Sequence, residues 1–243
     1  MKNILVHVIP FIFIFSGVFS AQNESNLFAV FLAKYVDESG NVDYRSVHKD
    51  YDFQSLLEYI AQVGIESMPE NERLAFYINS YNILVIKNVI DHWPIQSPMD
   101  IPGFFKEYRF MVAGEKVSLD DIEYKKIFRM EAALVHFGLV CAAESCPRLM
   151  DVPFEAPSLW DQLNKNGREF FQDQSKNRLD KSTNTLYLSE IFKWFRPNFE
   201  NRFGSLIQTA QNFLLPEDSL YLARHRITIS FIEYNWTLNI QIK

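Results

Sequence analysis

Both cysteines of this chain fall in one short segment with one of its five histidines, His136-Phe-Gly-Leu-Val-Cys141-Ala-Ala-Glu-Ser-Cys146-Pro-Arg148. A thiol hydrolase or acyl transferase needs an accessible cysteine of lowered pKa, a histidine to take its proton, a group to orient that histidine, and N–H donors for a developing oxyanion. The segment offers Cys141 as nucleophile and His136 as base, with the N–H groups of Ala142 and Ala143 as donors, and Asn79 or Asn82 upstream to orient the histidine or serve as a further donor. One spacing works against the set. On a continuous strand His136 and Cys141, an odd number of positions apart, point to opposite faces, so only a bend or bulge joins them. A second reading pairs Cys141 with Cys146 in a disulfide, which contributes about 2 kcal/mol on the chain-entropy model and removes the nucleophile unless the bridge is a redox resting form. A third reading, a metal held by His136, Cys141 and Cys146, has three ligands at the wrong rhythm and no further Cys or His pair at zinc spacing. No metal or cofactor is expected.

The elements that must position these groups follow from periodicity. Residues 23–35 carry apolar positions at helical spacing, Asp37 to Asn41 form a turn, and Val42 to Tyr44 are extended. A second helix spans about 53–63. Ser67-Met-Pro-Glu70 has the form of a capping box and opens the main helix, apolar almost all round from Leu74 to Ile90, which belongs at the centre of the domain. Its Asn79 and Asn82 are then buried amides, each costing about 1–3 kcal/mol if unpaired. A hairpin is expected over 104–117 with its turn at Gly114, followed by a short helix capped at Ser118. The early acids Asp120, Asp121 and Glu123 and the late bases of that helix suit its dipole better than catalysis. Residues 132–140 read as a buried strand delivering Cys141 to its tip. Later come a helix near 159–171, a hairpin across 180–184, a helix start at Ser189 halted by Pro197, a helix near 206–214 and a last strand over 227–234.

Composition bounds the rest. With 48% hydrophobic and 22% charged residues the 243-residue chain falls near the globular average, which excludes fibrous and disordered classes. Its 22 Phe, 11 Tyr and 4 Trp are enough to dominate a core. The net charge of −6 and the lack of any basic run longer than Lys125-Lys126 argue against nucleic acid as a partner. Met1-Lys2-Asn3, an apolar run from Ile4 to Phe19, and a polar start at Gln22 have the layout of a signal peptide cleaved before Ala21. The run is too short for a membrane span, so the mature protein is expected to lack one and to be secreted or periplasmic, where thiols oxidise. Residues 21–243 then form one domain. There is no phosphate loop, dinucleotide glycine signature, zincin motif or nucleophile elbow.

Several segments in order, Val42-Asp-Tyr44, Phe76-Tyr-Ile-Asn79-Ser-Tyr81-Asn82, Ser118-Leu-Asp-Asp-Ile-Glu123, the His136 to Pro147 stretch and Tyr234-Asn-Trp236-Thr-Leu-Asn239, together resemble the domain of unknown function 547 family. Tyr77 stands where that family is expected to carry Trp, Ala142 where Gly is usual and Asn235 where Asp is usual. The resemblance implies an α+β domain of an exported bacterial protein, and it implies no reaction. The fold expected is α+β, with a central buried helix packed on a small, mostly antiparallel sheet. Papain-like and transglutaminase-like enzymes offer an analogy, but Asn79 or Ser80 occupies the helix position of their nucleophile, so no catalytic residue transfers. Two functions stay open. One is a binding or envelope-associated domain with Trp194, Phe195 and Trp236 as core or contact surface, and partners unknown. The other is a cysteine-dependent hydrolase or acyl transferase using Cys141, His136 and Asn79. In either case the expected pocket lies between the Asn79–Asn82 helix and the cysteine loop, with Asn82, Glu144, Ser145, Cys146 and Arg148 as binding residues.

Overall fold

The computed structural model describes residues 21–50 and 52–242, and the expected leader, residues 1–20, lies outside them. The chain is α+β. Helices α1 (Ala21–Tyr35), α2 (Tyr44–Val47) and α3 (Asp52–Gln62) precede the long α4 (Glu70–Asp91). From Leu74 to Ile86 every residue of α4 is buried, as the all-round apolar pattern requires of a helix with neighbours on every side. A two-stranded antiparallel hairpin follows, β1 (Phe110–Val112) and β2 (Glu115–Val117). Its turn residues Ala113 and Gly114 both have positive φ, the geometry that matches the twist of two-residue hairpins. Their N–H groups donate to the Ile60 and Ala61 carbonyls at 2.8 Å, satisfying the open end of α3.

After a π-helix, Asp121–Ile127, and a 3₁₀ turn, Leu134–Phe137, comes α5 (Leu159–Gln172). Strands β3 (Arg178–Asp180) and β4 (Thr185–Ser189) pair antiparallel. Helices α6 (Ile191–Trp194), α7 (Arg196–Phe203), α8 (Leu206–Phe213) and α9 (Pro216–Arg224) then lead to β5 (Thr228–Ile232), which pairs parallel to β4. Two of the three strand pairings are therefore antiparallel. One buried apolar cluster runs from Phe28 to Leu238, and among the described residues no helix is long and apolar enough to cross a membrane.

Four local expectations are corrected. Residues 132–140 are not a strand. Apolar content in that run encoded burial without specifying a period, and in place of a neighbouring strand the Asn82 amide donates to Gly138 O at 2.8 Å and accepts from Val140 N–H at 2.9 Å. Ser67 does not cap α4. Pro69 occupies the N-cap, with ψ of 154°, and makes no side-chain bond. The reciprocal cap forms instead at Ser97 and Asp100. Pro197 does not merely halt a helix; it sits in the first turn of α7, where its missing N–H costs nothing. The hairpin begins at Phe110 rather than Phe104, whose ring is buried.

The excess of phenylalanine has a place in the core. The Phe137 ring lies among Phe170, Phe171, Phe192, Phe199 and Phe213, with centroids 4.9–6.3 Å away. Gly167 of α5 lets this cluster close, since a Cβ there would stand 2.8 Å from both the Phe137 and Phe213 rings. Gly167→Ala should therefore destabilise by about 2 kcal/mol through overpacking although alanine is the better helix former. Chemical denaturation checks this, and a stabilised variant would refute the packing account.

Candidate functional site

The C-terminal segment builds the site by stitching. Glu144 N–H donates to Thr237 O at 2.8 Å, Ser145 N–H to Asn235 O at 3.2 Å, and Asn239 N–H to Ala142 O at 3.2 Å. Asn239 also accepts from the Tyr44 hydroxyl at 2.7 Å and donates to Gly40 O at 3.0 Å. These bonds fix the cysteine loop between the turn after α1 and the last residues of the chain. Within the loop Ala142 adopts φ of 60°, left-handed backbone that glycine takes without strain and alanine does not. A glycine at this position would take that backbone without the strain.

Cys141 and Cys146 are joined in a disulfide. The bridge forms one wall of a cavity of about 220 Å³ whose other walls are Tyr81, Phe105, Asp120, Glu123, Tyr124, His136, Leu139, Ile191, Trp194, Phe195, Tyr234 and Trp236. Trp194 and Trp236 stack at 5.8 Å, and both lean on the Tyr234 ring at 4.8 and 4.7 Å. The Tyr234 hydroxyl lies 3.1 Å from Cys141 Sγ and 3.2 Å from Cys146 Sγ.

The same cavity is lined by two carboxyls, Asp120 and Glu123. Glu123 accepts from the Tyr81 hydroxyl at 3.3 Å. Burial and, after it, the nearby Asp120 charge push the Glu123 carboxyl up to about 7. The side chain keeps some exposure because it faces the cavity, yet protein surrounds it closely enough to disfavour its charge. Asp120 is raised as well, first by burial, with Lys106 opposing and Asp121 adding to the shift. The Tyr124 hydroxyl goes up to about 12, from burial and then from Glu123. A π-helix supplies this arrangement. Phe128 N–H reaches back five residues to Glu123 O at 2.9 Å, and Ile122 and Ile127, five apart, are both fully buried. The wider turn aims Glu123 inward while Asp121 faces out to Arg109 and Lys125.

The expected site residues are dispersed. His136 and Cys141 face the same cavity, but His136 Nε2 is held by Asn198 at 3.0 Å and its ring lies against Phe128, Phe195 and Phe199. Burial pushes its pKa down to about 3, so the imidazole is neutral at ordinary pH. Asn79 stands apart from both, donating to Phe154 O and accepting from Phe154 N–H, each at 2.9 Å. Asn82 is likewise committed to the Gly138–Val140 backbone. Glu144, Ser145, Cys146 and Arg148 do gather, around a second, polar cavity of about 400 Å³ on the other side of the loop. There Glu144 already accepts from Asn235 at 2.7 Å, while Arg148 donates to Glu38 O at 2.7 Å and approaches Glu169. Among the described residues no group of three or more His, Cys, Asp or Glu side chains is placed to hold a metal ion.

The helix dipole accounts for Asp121, whereas Glu123 and Asp120 line the cavity. The signal open to sequence was the concentration of three acids, Asp120, Asp121 and Glu123, around Ile122 with Ile127 five residues on.

The segment that carries both carboxyls and the bridge is similar to a known family. Residues 65–171 match the family described as "Protein of unknown function, DUF547". The match covers less than half of the chain, and no curated protein and no solved structure matches. Its bounds enclose α4, the hairpin, the π-helix, the cysteine loop and most of α5. Tyr81, Asp120, Glu123, His136 and the disulfide thus lie within the matched residues, whereas Trp194, Tyr234 and Trp236 lie beyond them. Residues after 171 complete the wall of the cavity.

Proposed function

We propose that this chain is the ligand-binding domain of an exported protein, and that the cavity beside the disulfide takes a small organic cation with an apolar body. The observation that carries the reading is the pairing of two carboxyls, Asp120 and Glu123, with aromatic walls in a cavity whose lining includes no lysine or arginine among the described residues, the nearby Lys106 acting on Asp120 from outside that lining. Aromatic faces attract cations by about 0.5–2 kcal/mol each when desolvated, and a bound cation draws Glu123 into its charged form. A sugar fits less well, because most of the lining surface is hydrocarbon. The volume lies below the roughly 300–1,000 Å³ of sites for drug-sized ligands, which limits the occupant to a small molecule. Export is supported by the leader-like first twenty residues and by a disulfide suited to an oxidising compartment. The cysteine-hydrolase reading has less support, since the bridge must first open and His136, neutral and bonded to Asn198, is a weak base.

Titration of the tryptophan fluorescence, to which Trp194 and Trp236 of the cavity wall contribute, with phenethylammonium and with its neutral counterpart 2-phenylethanol tests the proposal. The cation should bind at least tenfold more tightly at pH 8, with the preference shrinking toward pH 6 as Glu123 takes up a proton. Equal binding of the two, or binding that strengthens on acidification, would refute it.

A further inference from the structure

The disulfide that walls the cavity is asymmetric. Both cysteines line the cavity, but Cys141 is part-exposed, whereas Cys146, which also borders the second, polar cavity, is 2% exposed. The two sulfurs also differ in what stabilises them. Cys141 N–H donates to Cys146 Sγ at 3.0 Å and the Lys176 ammonium binds the Cys146 carbonyl at 2.8 Å, while the Tyr234 hydroxyl lies within reach of both sulfurs, 3.1 Å from Cys141 Sγ and 3.2 Å from Cys146 Sγ. Donors aimed at a sulfur lower the pKa of its thiol, and a disulfide opens fastest when the departing sulfur is the better-stabilised thiolate.

We propose that this bridge is a reactive disulfide that exchanges with low-molecular-weight thiols entering the cavity, with Cys141 the sulfur attacked and Cys146 the leaving group. The incoming thiolate forms a bond to Cys141 Sγ. The bond between the two protein sulfurs breaks, and its electron pair stays on Cys146 Sγ, held by the Cys141 N–H and the Tyr234 O–H. A second thiolate then attacks the substrate sulfur of the mixed disulfide, releasing the small-molecule disulfide and the Cys141 thiolate. The net change is oxidation of two thiols to one disulfide and two-electron reduction of the protein bridge. Tyr234 touches both reacting sulfurs and stabilises the departing one. Tyr81 and Glu123 take no part, so this activity stands apart from the ligand preference proposed above.

The test uses the full oxidised protein and 2-mercaptoethanol, a neutral thiol whose reaction does not depend on any preference for cations. Acid quenching, alkylation and peptide mapping should find the mercaptoethanol adduct on Cys141 and the alkyl label on Cys146. An adduct on Cys146, an even split, or no adduct under conditions that open a surface disulfide would overturn the proposal. Tyr234→Phe keeps the ring and its contacts with Trp194 and Trp236. It should slow adduct formation about tenfold and move the alkylation profile of Cys146 in the reduced protein to higher pH. An unchanged rate and profile would remove Tyr234 from the reaction, and a slowed rate with an unmoved profile would reduce it to packing.

Discussion

Asn82→Leu should lower the unfolding free energy by about 4 kcal/mol. The two side chains have similar volume, so the effect isolates the amide. In the protein that amide makes two buried bonds at once, to Gly138 O and from Val140 N–H, and leucine leaves both backbone groups unpaired at about 1–3 kcal/mol each. For a domain of this size each kcal/mol moves the melting point by about 2–4 °C, so a drop of about 12 °C is expected. The loss should fall on the cysteine loop first, because the segment from Gly138 to Val140 leads directly into Cys141 and has the Asn82 amide where a strand would have a neighbour. Denaturant unfolding followed by circular dichroism gives the number. A loss under 1 kcal/mol would show that water or a shifted backbone meets those groups without Asn82. Asn79→Leu provides an independent comparison, since Asn79 grips the Phe154 backbone in the same two-point manner.

Glu123→Gln should stabilise the fold at pH 8 and leave it unchanged at pH 4. The folded-state pKa of about 7 lies above the ordinary glutamate value of about 4.3, so the folded protein holds the proton more tightly than the unfolded chain. Stability is therefore fullest below about pH 4, declines as pH rises between the two values, and levels off above about 7. Taken whole, the gap corresponds to roughly 3 to 4 kcal/mol. Solvent entering the cavity screens the charge, and about 2 kcal/mol is expected at pH 8. Glutamine keeps the shape, can still accept from Tyr81, and cannot ionise. If the proposed function holds, the same substitution should weaken phenethylammonium binding by about tenfold at pH 8 while binding of 2-phenylethanol stays level. Greater stability obtained together with weaker binding is the pattern of a charge kept for function at the expense of the fold. Equal stability of variant and parent at pH 8 would mean that Glu123 is ionised without cost and that its burial is incidental.

The positions of the helices were legible because burial on one side leaves a period of 3.6 in the sequence. Residues 53–63, 159–171 and 206–214 show it and correspond to α3 (Asp52–Gln62), α5 (Leu159–Gln172) and α8 (Leu206–Phe213). No element was expected over helix α9, although Pro216 and the charged Glu217 and Asp218 that open its first turn suit a helix start. The run from Ala132 to Val140 was legible as buried and misread in shape. Full burial erases the contrast between faces, and its hydrogen-bond partners are amides on α4 and α5, which no local pattern announces. The candidate site divides the same way. The cysteine loop was located, and four of its residues, Glu144, Ser145, Cys146 and Arg148, do line one cavity. Asn79 and Asn82 were recognised as buried amides in need of partners. Which partners they take depends on segments 56 to 75 residues away in the chain.

Sequence alone determined that the chain has a large aromatic core, a central helix with two buried amides, and a pair of cysteines close enough to bond. Those properties are set by composition and by spacings of a few residues, over which the backbone's own geometry acts. Only the tertiary structure decided that the cysteines are bridged, that His136 belongs to the hydrophobic core, and that Glu123 turns inward through a π-helix to share a cavity with Trp194, Tyr234 and Trp236. A carboxyl's pKa and a cavity's lining are sums over groups remote in the chain, and they take a value only after the last residues have folded back across the loop.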